Sequence, residues 1–169
     1  MKKIFFIFAL LPVLLFCSCS ITKGSLEYQN FAANAEITIK TDNNTVRANI
    51  SLGAPNPDSS PRDAKITFSS PDSLSGIVVA RKGGEVFLSI GSLTLPAENH
   101  GFIGIADLFS IKGTLSSAEL CTLDGKKATH ITITDTDAVY DVYISENDLP
   151  LRIVKDCITV DVVWFEREK

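Results

Sequence analysis

FAANAEITIKTDNNTVRANISL, residues 31–52, decides the fold. Phe31, Ala33, Ala35, Ile37 and Ile39 alternate with Asn34, Glu36, Thr38 and Lys40. After Asp42, Asn43 and Asn44 the alternation resumes, with Val46, Ala48, Ile50 and Leu52 against Arg47, Asn49 and Ser51. Successive side chains of a strand point to opposite faces, so each run reads as a strand with one buried and one solvated side. Asp and Asn tolerate left-handed backbone, which makes 42–44 the turn of a hairpin.

The same pattern continues outward. Gly53–Arg62 carries Pro55, Pro57 and Pro61 among polar residues and reads as a surface loop, because neither a helix nor a central strand accepts them. Ala64, Ile66 and Phe68 alternate with Lys65 and Thr67 up to Pro71. Ile77–Arg81 and Glu85–Ile90 flank Gly83 and Gly84, which supply the positive φ of a tight turn, and Leu93–Leu95 reads as a short continuation. Further strands are expected at Ser117–Leu123, Lys127–Asp135, Val139–Ser145, Leu151–Lys155 and Ile158–Phe165, the last with Ile158, Val160, Val162 and Trp164 on one face. Between the two sets, Phe102, Ile105, Leu108 and Phe109 recur at helical spacing within Gly101–Lys112. Ile103 and Ile111 widen the stripe, Gly113 stands at the C-cap position, and Asp107 is almost its sole polar residue. About ten strands and one short apolar helix make a mainly β domain, in which an antiparallel sheet curls over the helix or closes as a sandwich or barrel.

Residues 1–18 carry a second message. Lys2 and Lys3 precede an apolar run from Ile4 to Phe16, too short for the roughly 20 residues that span a bilayer as a helix. This is the layout of an export signal. Ser18 before Cys19 suits the small-residue requirement of lipoprotein cleavage, so Cys19 is the expected lipid attachment site, with Cys17 the weaker candidate behind Phe16. The alternative is an ordinary secretory signal. Residues 19–25 would be a tether, and 26–169 the folded domain. Two acyl chains are needed for stable anchoring, since each buried methylene contributes only about 0.8 kcal/mol. The expected location is therefore outside the cytoplasm, on the membrane.

The chain of 169 residues holds 16 basic and 20 acidic residues, and loss of Lys2 and Lys3 leaves 14 basic ones and a formal charge of −6. That balance speaks against a nucleic-acid partner. Cys121 and Cys157 fall on the first and last strands of a five-strand run. At about 4.8 Å per strand they stand beyond the roughly 7 Å that a disulfide permits, so two buried thiols are expected.

Signs of catalysis are sparse. His100 lies in a loop and His130 on a polar strand face with Thr132 and Thr134, neither at metal-ligand or triad spacing. Asp135, Asp137 and Glu146 match the first, third and last positions of a calcium loop, but Val139 and Tyr140 occupy places that need a ligand and a glycine, so no metal is expected. No cofactor motif is present. What remains is an apolar sheet face made of Phe31, Ile37, Val46, Ile50, Phe68, Val86, Leu88, Ile131, Ile133, Val160 and Val162. Either Phe102, Ile105, Leu108 and Phe109 fill it as an ordinary core, or a ligand does, and the burial pattern leaves both open.

Three passages, YQNFAANAEITIK, ITFSSPDSLSGIVVARKGGEVFLSIG and NDLPLRIVKDCITVDVVWFE, resemble the first strand, the strand-before-proline with its following hairpin, and the closing strand pair of the LolA/LolB/LppX-like envelope proteins. Leu149, Pro150, Leu151 and Arg152 match a family pattern at the start of that pair. The resemblance implies an unclosed antiparallel half-barrel with the short helix in its concave mouth. It also implies a non-catalytic role in which the concave face holds a lipid, a lipoprotein acyl chain or another hydrophobic ligand, under a helical lid. The alternative is a tethered module that binds an envelope protein and has a filled core. A hydrolase is disfavoured because no nucleophile has a visible base.

Overall fold

The computed structural model describes residues 26–58, 60–98 and 101–168. The signal, the tether, Cys17, Cys19 and His100 lie outside them. Eleven strands form one antiparallel sheet: β1 (Ala33–Lys40), β2 (Thr45–Leu52), β3 (Ala64–Ser70), β4 (Ile77–Lys82), β5 (Glu85–Ile90), β6 (Leu93–Ala97), β7 (Thr114–Leu123), β8 (Lys126–Thr134), β9 (Val139–Ser145), β10 (Pro150–Lys155) and β11 (Ile158–Arg167). Their order is β6-β5-β4-β3-β2-β1-β11-β10-β9-β8-β7. Two meanders are thus joined where β1 pairs with β11, and β6 and β7 remain as free edges. The sheet is an unclosed half-barrel.

This order dictates where the helix must lie. Consecutive strands β6 and β7 stand at opposite edges, so the chain between them has to cross the open mouth. Residues 101–113 make that crossing and are apolar where they meet the sheet. Helix α1 itself is only Gly104–Asp107, with turns on either side, rather than the whole of 101–112. Gly101 and Gly104 lower helix propensity, and Ile103 at the N-cap offers no side-chain acceptor to the free amides. The segment is nonetheless seated as its pattern required, with Ile103, Ile105, Leu108, Phe109 and Ile111 at most 9 % exposed. Gly113 ends the crossing at φ +148, where a Cβ would stand 2.7 Å from the Thr134 carbonyl oxygen and 2.8 Å from Ile133 Cγ2. Gly113→Ala should therefore lower stability by about 1–3 kcal/mol, read as a lower urea midpoint at unchanged slope.

The alternation holds over most of the sheet. Ala33, Ala35, Ile37 and Ile39 of β1 and Ala48, Ile50 and Leu52 of β2 are buried, as are Ile66 and Phe68 on β3 and Ile131, Ile133, Val142, Ile144, Ile153 and Val160 on the other half. Three expectations change. Phe31 precedes β1 and is 39 % exposed, its ring 4.7 Å from the Arg167 guanidinium, so it does not belong to the inner face. A bulge in β11 opposite Glu36 and Ile37 breaks the alternation after Val162, turning Trp164 outward and Phe165 inward. The thiols of Cys121 and Cys157 are free and are separated in the sheet order by β8 and β9, but neither is buried. Cys121 is half-buried on the edge strand β7, and Cys157 is exposed in the β10–β11 turn.

Candidate functional site

The concave mouth is built from the sheet face below and two covering pieces above. One is the segment 101–112. The other is a single 3-10 turn, Glu27–Asn30, which brings Tyr28 into the core at 0 % exposure. Burial pushes the Tyr28 phenol up to about 12, so it stays neutral. Three aromatic contacts tie these pieces to the sheet. Phe109 stacks on Phe165 at 6.5 Å and 15°, Tyr28 meets the Phe165 ring edge-on at 6.1 Å, and Phe102 meets Phe68 edge-on at 4.9 Å. Of the expected lining, Ile37, Ile50, Phe68, Val86, Ile131, Ile133 and Val160 are buried in the same core as Ile105 and Phe109, with Val46, Leu88 and Val162 partly buried against it. Phe102, although packed on Phe68, keeps 46 % of its surface exposed at the lip. The structure thus gathers every expected lining residue except Phe31, and closes the mouth with the chain's own side chains.

Two arginines that the pattern of apolar residues did not reveal hold the cover down. Arg62, 2 % exposed, donates through Nη2 to the Phe109 carbonyl at 2.6 Å and through Nη1 to the carbonyls of Phe31 at 3.1 Å and Gln29 at 3.4 Å. Arg81, 3 % exposed, donates through Nε to the Arg62 carbonyl at 2.9 Å and with its two terminal nitrogens to Asp107 at 3.2 and 2.7 Å. Burial brings Arg62 down to about 10, which leaves it charged at neutral pH. Gln29 adds a link: in the amide orientation that satisfies its neighbours it donates to the Ile111 carbonyl at 3.2 Å and accepts from the Ile111 amide at 3.1 Å. The loop 53–62 is therefore on the surface only in part, since its last residue is a buried clamp. Two signals in the sequence marked this arrangement. Arg81 stands in phase with the inward Val79, and Asp107 is the lone acid on an apolar segment.

The polar candidates lie elsewhere. His130 Nε2 is 2.8 Å from Asp141 Oδ1, and its ring stacks on Tyr143 at 4.6 Å on the outer face of β8 and β9. Asp135 and Asp137 sit at one end of β9 and Glu146 at the other, where it faces Lys127 at 3.6 Å, so these three acids are not assembled. On the outer face of β11, Asp161 is held by Lys40 at 2.7 Å and by Arg152 Nε. Burial works to raise its carboxyl, but hydrogen bonds from Lys40 and Arg152 outweigh that and hold it below the ordinary range. A depressed carboxyl contributes stability above its unfolded value and loses it as pH falls through the folded one. Asp161→Asn should therefore lower the melting temperature at pH 7, and the difference from wild type should begin to shrink only as pH falls below about 4 and be lost once pH has passed through the depressed folded value.

No protein-family model matches the chain, and no curated protein matches it in sequence. Solved structures do match its fold. An uncharacterized conserved protein from Thermus thermophilus superposes with a TM-score of 0.54 at 17 % identity, over 86 % of this chain and 83 % of that one. The MucA/MucB complex of Pseudomonas aeruginosa gives 0.50 at 12 % identity, over 85 % of this chain and 54 % of the matched one, so this chain spans about half of that length. The Mycobacterium tuberculosis lipoprotein LppX gives 0.46 at 14 % identity, over 82 % and 89 %. With its two meanders, free edges and crossing segment in the mouth, the chain is an unclosed half-barrel, a fold that it shares with the Thermus protein and with the matched chain of the MucA/MucB complex.

Proposed function

We propose that the protein is an envelope lipoprotein, fastened to the membrane through Cys19, whose half-barrel accepts an acyl chain or similar hydrophobic ligand when the 101–112 segment lifts from the mouth. One observation carries this reading: the core is completed by a short, almost wholly apolar crossing rather than by a second sheet or a full helix. The magnitudes are compatible with exchange. Ile103, Ile105, Leu108, Phe109 and Ile111 together contribute about 8–15 kcal/mol by burial. An acyl chain of about sixteen carbons contributes about 12 kcal/mol. A ligand of that size replaces the cover at little net cost, whereas a small apolar molecule does not.

The second reading is a tethered interaction module with a permanently filled core. The closed mouth favours it, and so does the occurrence of this fold in the MucA/MucB complex. Native mass spectrometry of delipidated, refolded protein after exposure to a membrane lipid extract separates the two. An acyl-bearing adduct is expected, and its absence leaves the module. Anchoring has its own test. Cells fed a fatty-acid analogue should label the wild-type protein, and Cys19→Ala should lose the label, while retention in that variant would move the attachment to Cys17.

A further inference from the structure

The outer face carries a cleft of about 460 Å³ that the reading of the mouth does not use. Its floor is a row across four strands, Arg47 on β2, Thr38 on β1, Asp161 on β11 and Arg152 on β10, each in register with the next. Its wall is the tip of the β7–β8 hairpin, with Leu123, Asp124 and Lys126, brought in by the ion pair from Arg152 Nη2 to Asp124 at 3.1 Å.

Charge in this cleft runs against the rest of the molecule. Lys40, Arg47, Lys126 and Arg152 line it with only Asp124 and Asp161 to balance them, in a chain whose formal charge is −4. Lys40 and Arg152 already share Asp161. Arg47 and Lys126 have no carboxylate partner among the described residues. Four cations gathered on one cleft repel each other, and an incoming anion relieves that repulsion where low-dielectric walls strengthen the attraction. The walls are in part apolar. A register shift between Pro150 and Arg152 leaves Leu151 beside Arg152 on this cleft, and Val163 joins it at the bulge of β11.

From this we propose that the cleft between the outer faces of β1, β2, β10 and β11 and the β7–β8 tip binds an anionic amphiphile. Its phosphate or carboxylate group lies against Arg47 and Lys126, and its short apolar part against Leu123, Leu151 and Val163. The site is independent of the mouth and stands whether or not the mouth takes a ligand.

Isothermal titration of the full chain, held by its anchor in nanodiscs of neutral lipid with empty nanodiscs as blank, tests it. Dihexanoyl phosphatidate represents a membrane lipid and octanoate a free acid; the tighter of the two identifies the source. At least one is expected to bind saturably, and the double variant Arg47→Gln, Lys126→Gln to weaken it at least tenfold with an unchanged melting temperature. Dihexanoyl phosphatidylcholine, which carries no net charge, should bind at least tenfold more weakly. Unchanged affinity in the double variant, equal binding of the phosphatidylcholine, or equally tight binding of inorganic phosphate would overturn the proposal.

Discussion

Phe109→Ala is expected to lower the stability of the ligand-free protein by about 3–5 kcal/mol, the range for deleting a fully buried phenyl ring. The ring is 0 % exposed and stacked on Phe165, within the same buried core as Tyr28, Ile103 and Ile105. In a domain of this size the loss corresponds to a melting temperature lower by roughly 10 °C or more. The same variant distinguishes a cover from a core. If a ligand displaces residues 101–112, stability removed from the closed state alone is returned as affinity, because a ligand shifts an equilibrium by its preference between the two states. Affinity for an acyl ligand should then rise as the melting temperature falls. A permanent core gives the fall with no gain.

Arg62→Ala should cost about 2–4 kcal/mol. Its guanidinium satisfies the carbonyls of Gln29, Phe31 and Phe109, and leaving buried acceptors without donors costs about 1–3 kcal/mol each, offset in part by no longer burying a charge. The loss should be local in its consequences. Proteolysis under native conditions should cut Arg62→Ala first within 101–113 or just before β1, because both pieces depend on this one side chain. An Arg62→Ala protein as stable as wild type, or one cut first in the β9–β10 turn, contradicts the clamp.

The strands were legible because their information is local. Ala33–Ile39 and Ala48–Leu52 carry the period of two that marks a strand rather than a helix, and the sheet face they define is the one the structure buries. Pro96 is consistent with its place on the free edge β6, where no outer neighbour needs its missing amide. The crossing segment was legible as apolar but not as a mere four-residue helix. Gly101, Gly104 and the uncapped Ile103 cut the helix short, and its place across the mouth follows from the strand order, which residues 101–112 do not show. Trp164 and Phe31 were misplaced for a related reason, since a bulge or a strand end interrupts the phase without changing composition. Arg62 was hidden by its context, because a proline-rich loop looks solvated until the chain passing over it supplies carbonyls to bind.

Hydrogen exchange at the backbone amides of residues 103–109, measured on the full chain with and without a membrane lipid extract, tests most directly whether the mouth is closed by a displaceable cover. The account predicts that lipid accelerates exchange across 103–109 while the amides of β1, β2 and β3 keep their protection. Amides that stay equally protected in the presence of lipid would contradict it, and would leave an anchored half-barrel with a permanently filled interior.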